Sequence, residues 1–438
     1  MTSALLTDRY ELTMIDAAMR SGLHDRECVF EVFARRLPEG RRYGIVAGTG
    51  RLLDLIRDFR FDDADLDWLR DHAVVTPTTL DWLADYRFTG SISGYREGEV
   101  YFPNSPILVV DGTFAEAVIL ETLALSVLNY DSAIASAAAR MVSAADGRPI
   151  AEMGSRRTGE RSAVAAARAA FVAGFGATSN LEAGRQWGVP TMGTAAHAFT
   201  LLHDSEEEAF RSQVEALGSG TTLLIDTYDV PKAVETAVRV AGTGLGAVRI
   251  DSGDLPAQVA AVRRQLDSLG AVNTKITVTN DLDEYTIAAL RAAPVDSYGV
   301  GTSVVTGSGH PAASMVYKLV SRRDAGGEWV AVAKKSAAKA SVGGRKHPVR
   351  TSEEGVAVAE TIYVGEPPSP SPDERPLLVP LMVDGEPVAN YLGAHGTGVA
   401  RTHRAAAIAE LPDQAFRLAR GEPAIPTVYV TNRADVTS

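Results

Sequence analysis

The chain has 438 residues, 45% of them hydrophobic and 22% charged; this is the composition of a folded protein, and the length exceeds what one hydrophobic core usually serves, so more than one domain is expected. Its 43 basic and 55 acidic residues leave a net charge of −12, which excludes a nucleic-acid binder working through a broad basic surface and requires any anionic ligand to be held by a few placed groups. The single cysteine, Cys28, excludes an intrachain disulfide and a thiolate metal cluster and fits a reducing, cytoplasmic setting; Met1 to Thr7 lacks a leader pattern, and no run of about 18 apolar residues marks a membrane span.

From Asp8 the residues Leu12, Met14, Ile15 and Ala18 recur at three- and four-residue spacings and predict a helix, followed by a strand at Cys28-Val29-Phe30-Glu31-Val32-Phe33. Between Phe88 and Gly112 short strands are expected, among them Gly90-Ser91-Ile92-Ser93-Gly94 and Pro106-Ile107-Leu108-Val109-Val110. A long apolar helix is predicted from Thr113 to about Val142, closed by the turn Asp146-Gly147-Arg148-Pro149.

After Pro149, β runs alternate with helical patterns. They are Ile150 to Met153, Gly176 to Thr178, Pro190 to Thr194, Leu223 to Thr227, Ala247 to Ile250, Ile276 to Thr279 and Ser297 to Val300. Such alternation implies an all-parallel sheet, open or closed, and the polar or glycine strand ends favour an irregular barrel. Those ends are Arg156, Asn180, Thr194, Asp226, Asp251, Asn280 and Gly301, and a barrel gathers them around one mouth.

From Met315 the alternation stops. Strands are expected at Met315 to Val320, Trp329 to Val332 and Pro376 to Val383, with basic stretches at Lys334-Lys335 and Gly343-Gly344-Arg345-Lys346 and a Pro/Ser-rich loop at Pro367 to Pro372. Val430 to Ser438 is expected to fray. The chain therefore reads as an α/β protein with an N-terminal α+β lobe over residues 1–142, an irregular α/β barrel carrying the active site over 143–314, and a C-terminal region over 315–438 packed on the first lobe.

The most informative local stretch is Val248-Arg249-Ile250-Asp251-Ser252-Gly253-Asp254-Leu255. An apolar strand here releases a guanidinium, two carboxylates, a hydroxyl and a glycine just before a helix, a set suited to a polyhydroxylated anion. Read alone, the less favoured alternative is that Asp251 or Ser252 caps that helix. Tyr298-Gly299-Val300-Gly301-Thr302-Ser303 offers backbone amides able to close on a phosphate, or a plain tight turn. Met192-Gly193-Thr194-Ala195-Ala196-His197 puts an imidazole beyond a strand end among small residues, making His197 the histidine best placed for chemistry. His24, His72, His395 and His403 sit in polar runs, His203 in an acidic helix start, and His310 and His347 beside prolines. Glu152-Met153-Gly154-Ser155-Arg156-Arg157 brings two guanidiniums to a strand end, and Tyr10 alone reads as a core or interface aromatic. No zinc-protease, Walker A or nucleophile-elbow pattern is present.

Taken together, Thr7-Asp8-Arg9-Tyr10-Glu11-Leu12-Thr13-Met14, Gly193-Thr194-Ala195-Ala196-His197, Arg249-Ile250-Asp251-Ser252-Gly253-Asp254, Val278-Thr279-Asn280-Asp281-Leu282 and Gly299-Val300-Gly301-Thr302-Ser303 resemble the nicotinate phosphoribosyltransferase family in order and spacing. The resemblance runs from Asp8 to about Lys318 and, more loosely, through Lys335-Ser336 and Gly344-Arg345-Lys346. It implies an irregular barrel packed on a sandwich-like lobe built from both chain ends, and ATP-coupled joining of nicotinate to phosphoribosyl pyrophosphate in NAD salvage. It further implies that ATP phosphorylates His197, that Thr194 and Arg249 contact nicotinate, and that Tyr10 reaches the pyridine from a neighbouring subunit, hence a homodimer. Arg156, Asp251, Ser252, Gly253, Gly301 and Thr302 would hold the phosphoribosyl pyrophosphate, with magnesium at its diphosphate and no assigned metal ligands.

Two departures accompany it. Met153 stands where relatives commonly carry an aromatic, and Gly343-Gly344-Arg345-Lys346 lacks a proline before its second glycine, which predicts a more flexible loop. The alternatives are a nicotinamide phosphoribosyltransferase, or a non-catalytic barrel that binds a nucleotide or phosphosugar.

Overall fold

The computed structural model describes residues 4–334, 341–369 and 371–431. The chain divides into two compact units, one made of the residues up to Ser136 together with those from His310 onward, the other of Ala137–Gly309. Lys335 and Ser336, which belong to the looser part of the resemblance, lie outside the described residues, as do Asn432 to Ser438.

In the first unit both ends of the chain enter one seven-stranded sheet. Glu27–Ala34 is near its middle, and five consecutive buried residues, Cys28 to Val32, show that both of its faces are covered. Met315–Arg323 runs antiparallel on one side of it and Leu108–Thr113 on the other, with Val32 opposite Tyr317 and Leu108. Ser91–Tyr95 and Leu378–Val383 extend the sheet further. The helix Arg9–Ser21 buries Leu12, Ile15 and Ala18 and stops at Gly22, whose φ of 68° gives the left-handed cap.

The long helix expected after Thr113 is two. Thr113 and Glu116 form a reciprocal cap for Phe114–Val118, and Glu121–Ala145 follows. Phe114–Ala145 is long and apolar enough to cross a bilayer, but 67% of its most apolar window is buried inside the protein. It is a core helix.

A second, four-stranded sheet comprises Glu374–Pro376, Lys346–Glu353, Val356–Val364 and Thr427–Thr431. Val430 is thus paired, opposite Tyr363, rather than frayed. Charges here answer one another. Arg350 Nη2 lies 2.8 Å from Glu360, Arg375 Nη1 2.9 Å from Glu99, and His403 Nε2 2.8 Å from the same carboxylate. His403 is therefore a half-buried partner of Glu99. The basic stretch after Gly344 is equally engaged: Lys346 Nζ is 2.6 Å from the buried Glu31, and Arg345 pairs with Asp111. The stretch expected to be more flexible is instead held by two ion pairs.

The second unit is built on a six-stranded, all-parallel sheet in the order Ala177–Thr178, Ile150–Glu152, Ser297–Val300, Lys275–Val278, Ala247–Ile250, Thr222–Leu224. Among the described residues no ladder joins the two edge strands, so the sheet makes half a barrel rather than a closed one. The break falls where Pro190 to Thr194 was expected to be a strand. Only an isolated bridge, Thr178 to Thr191, forms there. Pro190 has no N–H to give, and Gly193, Ala195 and Ala196 lack the branched side chains that favour an extended ladder.

Candidate active site

The strand ends of the half-barrel open on a cavity of about 440 Å³ lined by residues of this unit alone, Arg156, Thr194, His197, Arg249, Asp251 and Thr302 among them. Five of the seven predicted strand-end residues line it. Asn180 does not: it caps the helix Leu181–Trp187 through Ala183 N and reaches Ser155 Oγ at 3.0 Å. Asp226 lies beneath the wall, its side chain 2% exposed.

Asp226 is the residue whose role the sequence left unassigned. Its Oδ1 is 3.2 Å from His197 Nε2, while its Oδ2 accepts from the Asp251 amide at 2.9 Å and from Ser252 Oγ at 2.6 Å. One buried carboxylate thereby fixes both the imidazole and the loop after Ile250. It also explains why Ser252 and Gly253 stay out of the cavity: the hydroxyl is turned onto Asp226, and Gly253 adopts a φ of 91° at the turn. The following helix, Leu255–Ser268, is capped by Asp254, which leaves Asp251 free of the capping role. Asp251 Oδ1 accepts from Thr279 Oγ1 at 2.5 Å, and its carboxylate lines the cavity.

Arg249 alternates with the buried Val248 and Ile250, so it projects to the opposite face of its strand. Its Nη1 donates to Thr194 Oγ1 at 2.6 Å, and its Nε has no hydrogen-bond partner among the described residues. Burial pulls its pKa below the ordinary 12.5, with Asp251 and Asp226 offsetting this in part and Arg156 adding to it. Arg156, Arg157 and Arg249 enter no salt bridge among the described residues, so within a chain of net charge −12 the cavity keeps open positive groups.

Two glycines set the closeness of the walls. A Cβ on Gly154 would lie 2.3 Å from Val305 Cγ1 and 2.8 Å from Gly301 O, and one on Gly299 would lie 2.7 Å from both Met153 Sδ and Thr279 Cγ2. The Arg156 turn can therefore pack directly on the Gly301-Thr302 loop. Met153, Ser179, Asn280 and Asp281 also line the cavity. Tyr10 belongs to the other unit, where it is 45% exposed on the first helix. Burial, with Glu121, Glu11 and Asp8 nearby, lifts its pKa to about 12, so its hydroxyl stays protonated. Among the described residues no group of three histidine, cysteine or acidic side chains is arranged to hold a metal.

Residues 5–129 match the family described as the nicotinate phosphoribosyltransferase (NAPRTase) N-terminal domain. A nicotinate phosphoribosyltransferase of Mycobacterium tuberculosis is 56% identical over 435 residues, covering 97% of this chain and 95% of that one. One from Bacillus subtilis is 36% identical over 332 residues, covering 74% and 68%. Among solved structures, human nicotinic acid phosphoribosyltransferase superposes with a TM-score of 0.82 at 23% identity over 98% of both chains. A nicotinate-nucleotide pyrophosphorylase from Pyrococcus furiosus gives 0.76 at 22% identity over 94% and 96%. These two share the fold.

Proposed function

The chain belongs to the nicotinate phosphoribosyltransferase family, and on that premise we propose that its cavity joins nicotinate to 5-phosphoribosyl 1-pyrophosphate, with ATP cleaved alongside to ADP and phosphate. The reaction gives nicotinate mononucleotide and diphosphate and serves NAD salvage. The observation that carries the residue assignment is Arg249, a half-buried guanidinium that, among the described residues, has an unpartnered Nε and is hydrogen-bonded only to the neutral Thr194 hydroxyl. Such a group suits the carboxylate of nicotinate.

Displacement at the ribose C1 builds positive charge on the ring and negative charge on the leaving diphosphate. Asp251 is assigned to the ribose hydroxyls and the cationic ring, Arg156 and the Gly301-Thr302 amides to the phosphates. The pyridine nitrogen is itself the nucleophile, so Arg249 and Thr194 serve by holding it in line. Asp226, accepting from Nε2, keeps that nitrogen protonated and leaves Nδ1 of His197 to take the phosphoryl group from ATP. The resulting phosphohistidine adds a dianion at the cavity wall.

The cavity fits magnesium carried largely by substrate oxygens and water, because among the described residues it offers only the lining carboxylates Asp251 and Asp281 and no protein cage. Magnesium bound there would neutralise charge on the diphosphate. We also read the protein as a cytoplasmic homodimer in which Tyr10 of a second copy faces the base. Exposed Leu6 beside it, and Met192, Leu201 and Leu202 near the cavity, support an apolar contact. In finer detail, the first unit reads as a sandwich-like lobe, its sheets linked by Tyr95 Oη donating to Glu360 at 2.7 Å.

The test is diphosphate release with phosphoribosyl pyrophosphate, magnesium and ATP, comparing nicotinate, nicotinamide and no base. Release with nicotinate, accompanied by ADP, is expected; release with nicotinamide instead, or with neither, overturns the reading. His197→Ala should retain slow transfer that ATP no longer stimulates, and persistent stimulation would remove His197 from its role.

A further inference from the structure

We propose that Glu152 is a positioning residue for the diphosphate end of this site, its carboxylate tying the turn that carries Arg156 to the neighbouring loop that carries Ser179. The inference rests on the assignment of Arg156 to the phosphates.

Glu152 ends the strand Ile150–Glu152 and is 0% exposed. It enters no salt bridge among the described residues, and burial pushes its pKa up. A lone buried carboxylate is costly, and packing alone would be served better by an apolar side chain. What the carboxylate supplies is two acceptors aimed at two loops. One oxygen accepts from the Gly154 amide, and the other from Thr178 Oγ1 at 2.5 Å. The main-chain oxygen of Glu152 accepts from Ser179 N at 2.9 Å.

The bonds then close into a ring. Thr178 Oγ1 accepts from Asn180 N at 3.0 Å, and Asn180 Nδ2 donates to Ser155 Oγ at 3.0 Å, beside Gly154 again. From this ring the single turn Ser155–Arg157 projects Arg156 and Arg157 into the cavity, held by Arg157 N donating to Gly154 O at 2.8 Å. Because Gly154 also abuts Gly301 O and Val305, the carboxylate fixes the spacing between the Arg156 turn and the Gly301-Thr302 loop. A shift of about 1 Å at such a point can cost up to a hundredfold in turnover or binding.

The experiment is steady-state kinetics with each substrate varied in turn, for Glu152→Ala, Glu152→Gln, Thr178→Val and Arg156→Ala. Glu152→Ala should raise KM for phosphoribosyl pyrophosphate about tenfold or more, with KM for nicotinate within about twofold. Glu152→Gln keeps an acceptor for the Gly154 amide and should recover most of the loss, while Thr178→Val, nearly isosteric, should show a smaller rise in the same KM. Should Glu152→Ala not fold, Glu152→Gln and Thr178→Val carry the test. A rise in Arg156→Ala without one in the Glu152 and Thr178 variants overturns the inference alone. So does a loss that falls equally on both substrates. An unchanged KM in Arg156→Ala overturns the phosphate assignment, and the inference with it.

Discussion

Arginine is put to opposite uses in the two units. In the first, Arg350 is 0% exposed, lies 2.8 Å from Glu360 and 3.8 Å from Glu99, and rests over the Phe102 ring. Its charge is answered by carboxylates of the same unit, and burial of Glu99 is outweighed by His403, Arg350 and Arg375, which hold its pKa down at about 2. In the second, Arg249 is desolvated as well, yet among the described residues its guanidinium bonds to a hydroxyl and to no carboxylate. The contrast separates charge that completes a fold from charge held for a ligand, and it predicts that variants of the first lose stability while variants of the second lose activity.

Arg350→Met should show the largest effect. Removing one partner of a buried pair leaves Glu360 uncompensated and should cost about 3–5 kcal/mol in urea unfolding, with turnover per folded molecule unchanged. Asp251→Asn should lower kcat by about a hundredfold, near 3 kcal/mol, with little change in melting temperature. Arg249→Met should lower kcat/KM for nicotinate by about tenfold to a hundredfold and melt no lower than the parent. A clear drop in its melting temperature would erase the distinction between the units. The smallest effect concerns Glu11, fully buried in the first unit, whose carboxylate accepts from Thr122 N at 2.8 Å and Oγ1 at 2.5 Å. Burial lifts its pKa from 4.5 to about 7. A carboxylate raised on folding keeps its proton where the unfolded chain has lost it, so its contribution to stability is present below pH 4.5 and fades as pH rises to about 7. Glu11→Gln should remove that part of the slope, read from urea unfolding at about pH 5 and about pH 8.

Much of this was legible in the sequence where periodicity and burial agree. The strands at Cys28, Ile150, Ala247, Ile276 and Ser297 fall within a residue or two of their apolar runs. The cavity residues Arg156, Thr194, Asp251 and Gly301 were legible as polar or glycine ends of expected β runs, His197 and Thr302 just beyond such ends and Arg249 inside one, and their roles came from the family resemblance. Legibility ended where backbone direction decides. Ser252 and Gly253 adjoin Asp251 in sequence, but the turn at Gly253 and the bond to Asp226 carry them aside. Asp226 was visible as a polar strand end, though its downward path beneath His197 was not. Glu152 left one signal, a carboxylate inside an apolar β run, which is costly enough to demand a reason. The run from Pro190 has strand-like length, and only the missing N–H of proline and the small residues after it mark the failure to pair.

That failed strand has a consequence in exchange and order. The N–H groups of Gly193, Thr194, Ala195 and Ala196 donate no hydrogen bond among the described residues, although they border the cavity. Their protons should swap with deuterated solvent far faster than those of Ala247–Ile250, whose strand is flanked on both sides. Substrates that fill the gap would then act as the missing strand, slowing that exchange and closing by ligation a sheet the chain leaves ajar.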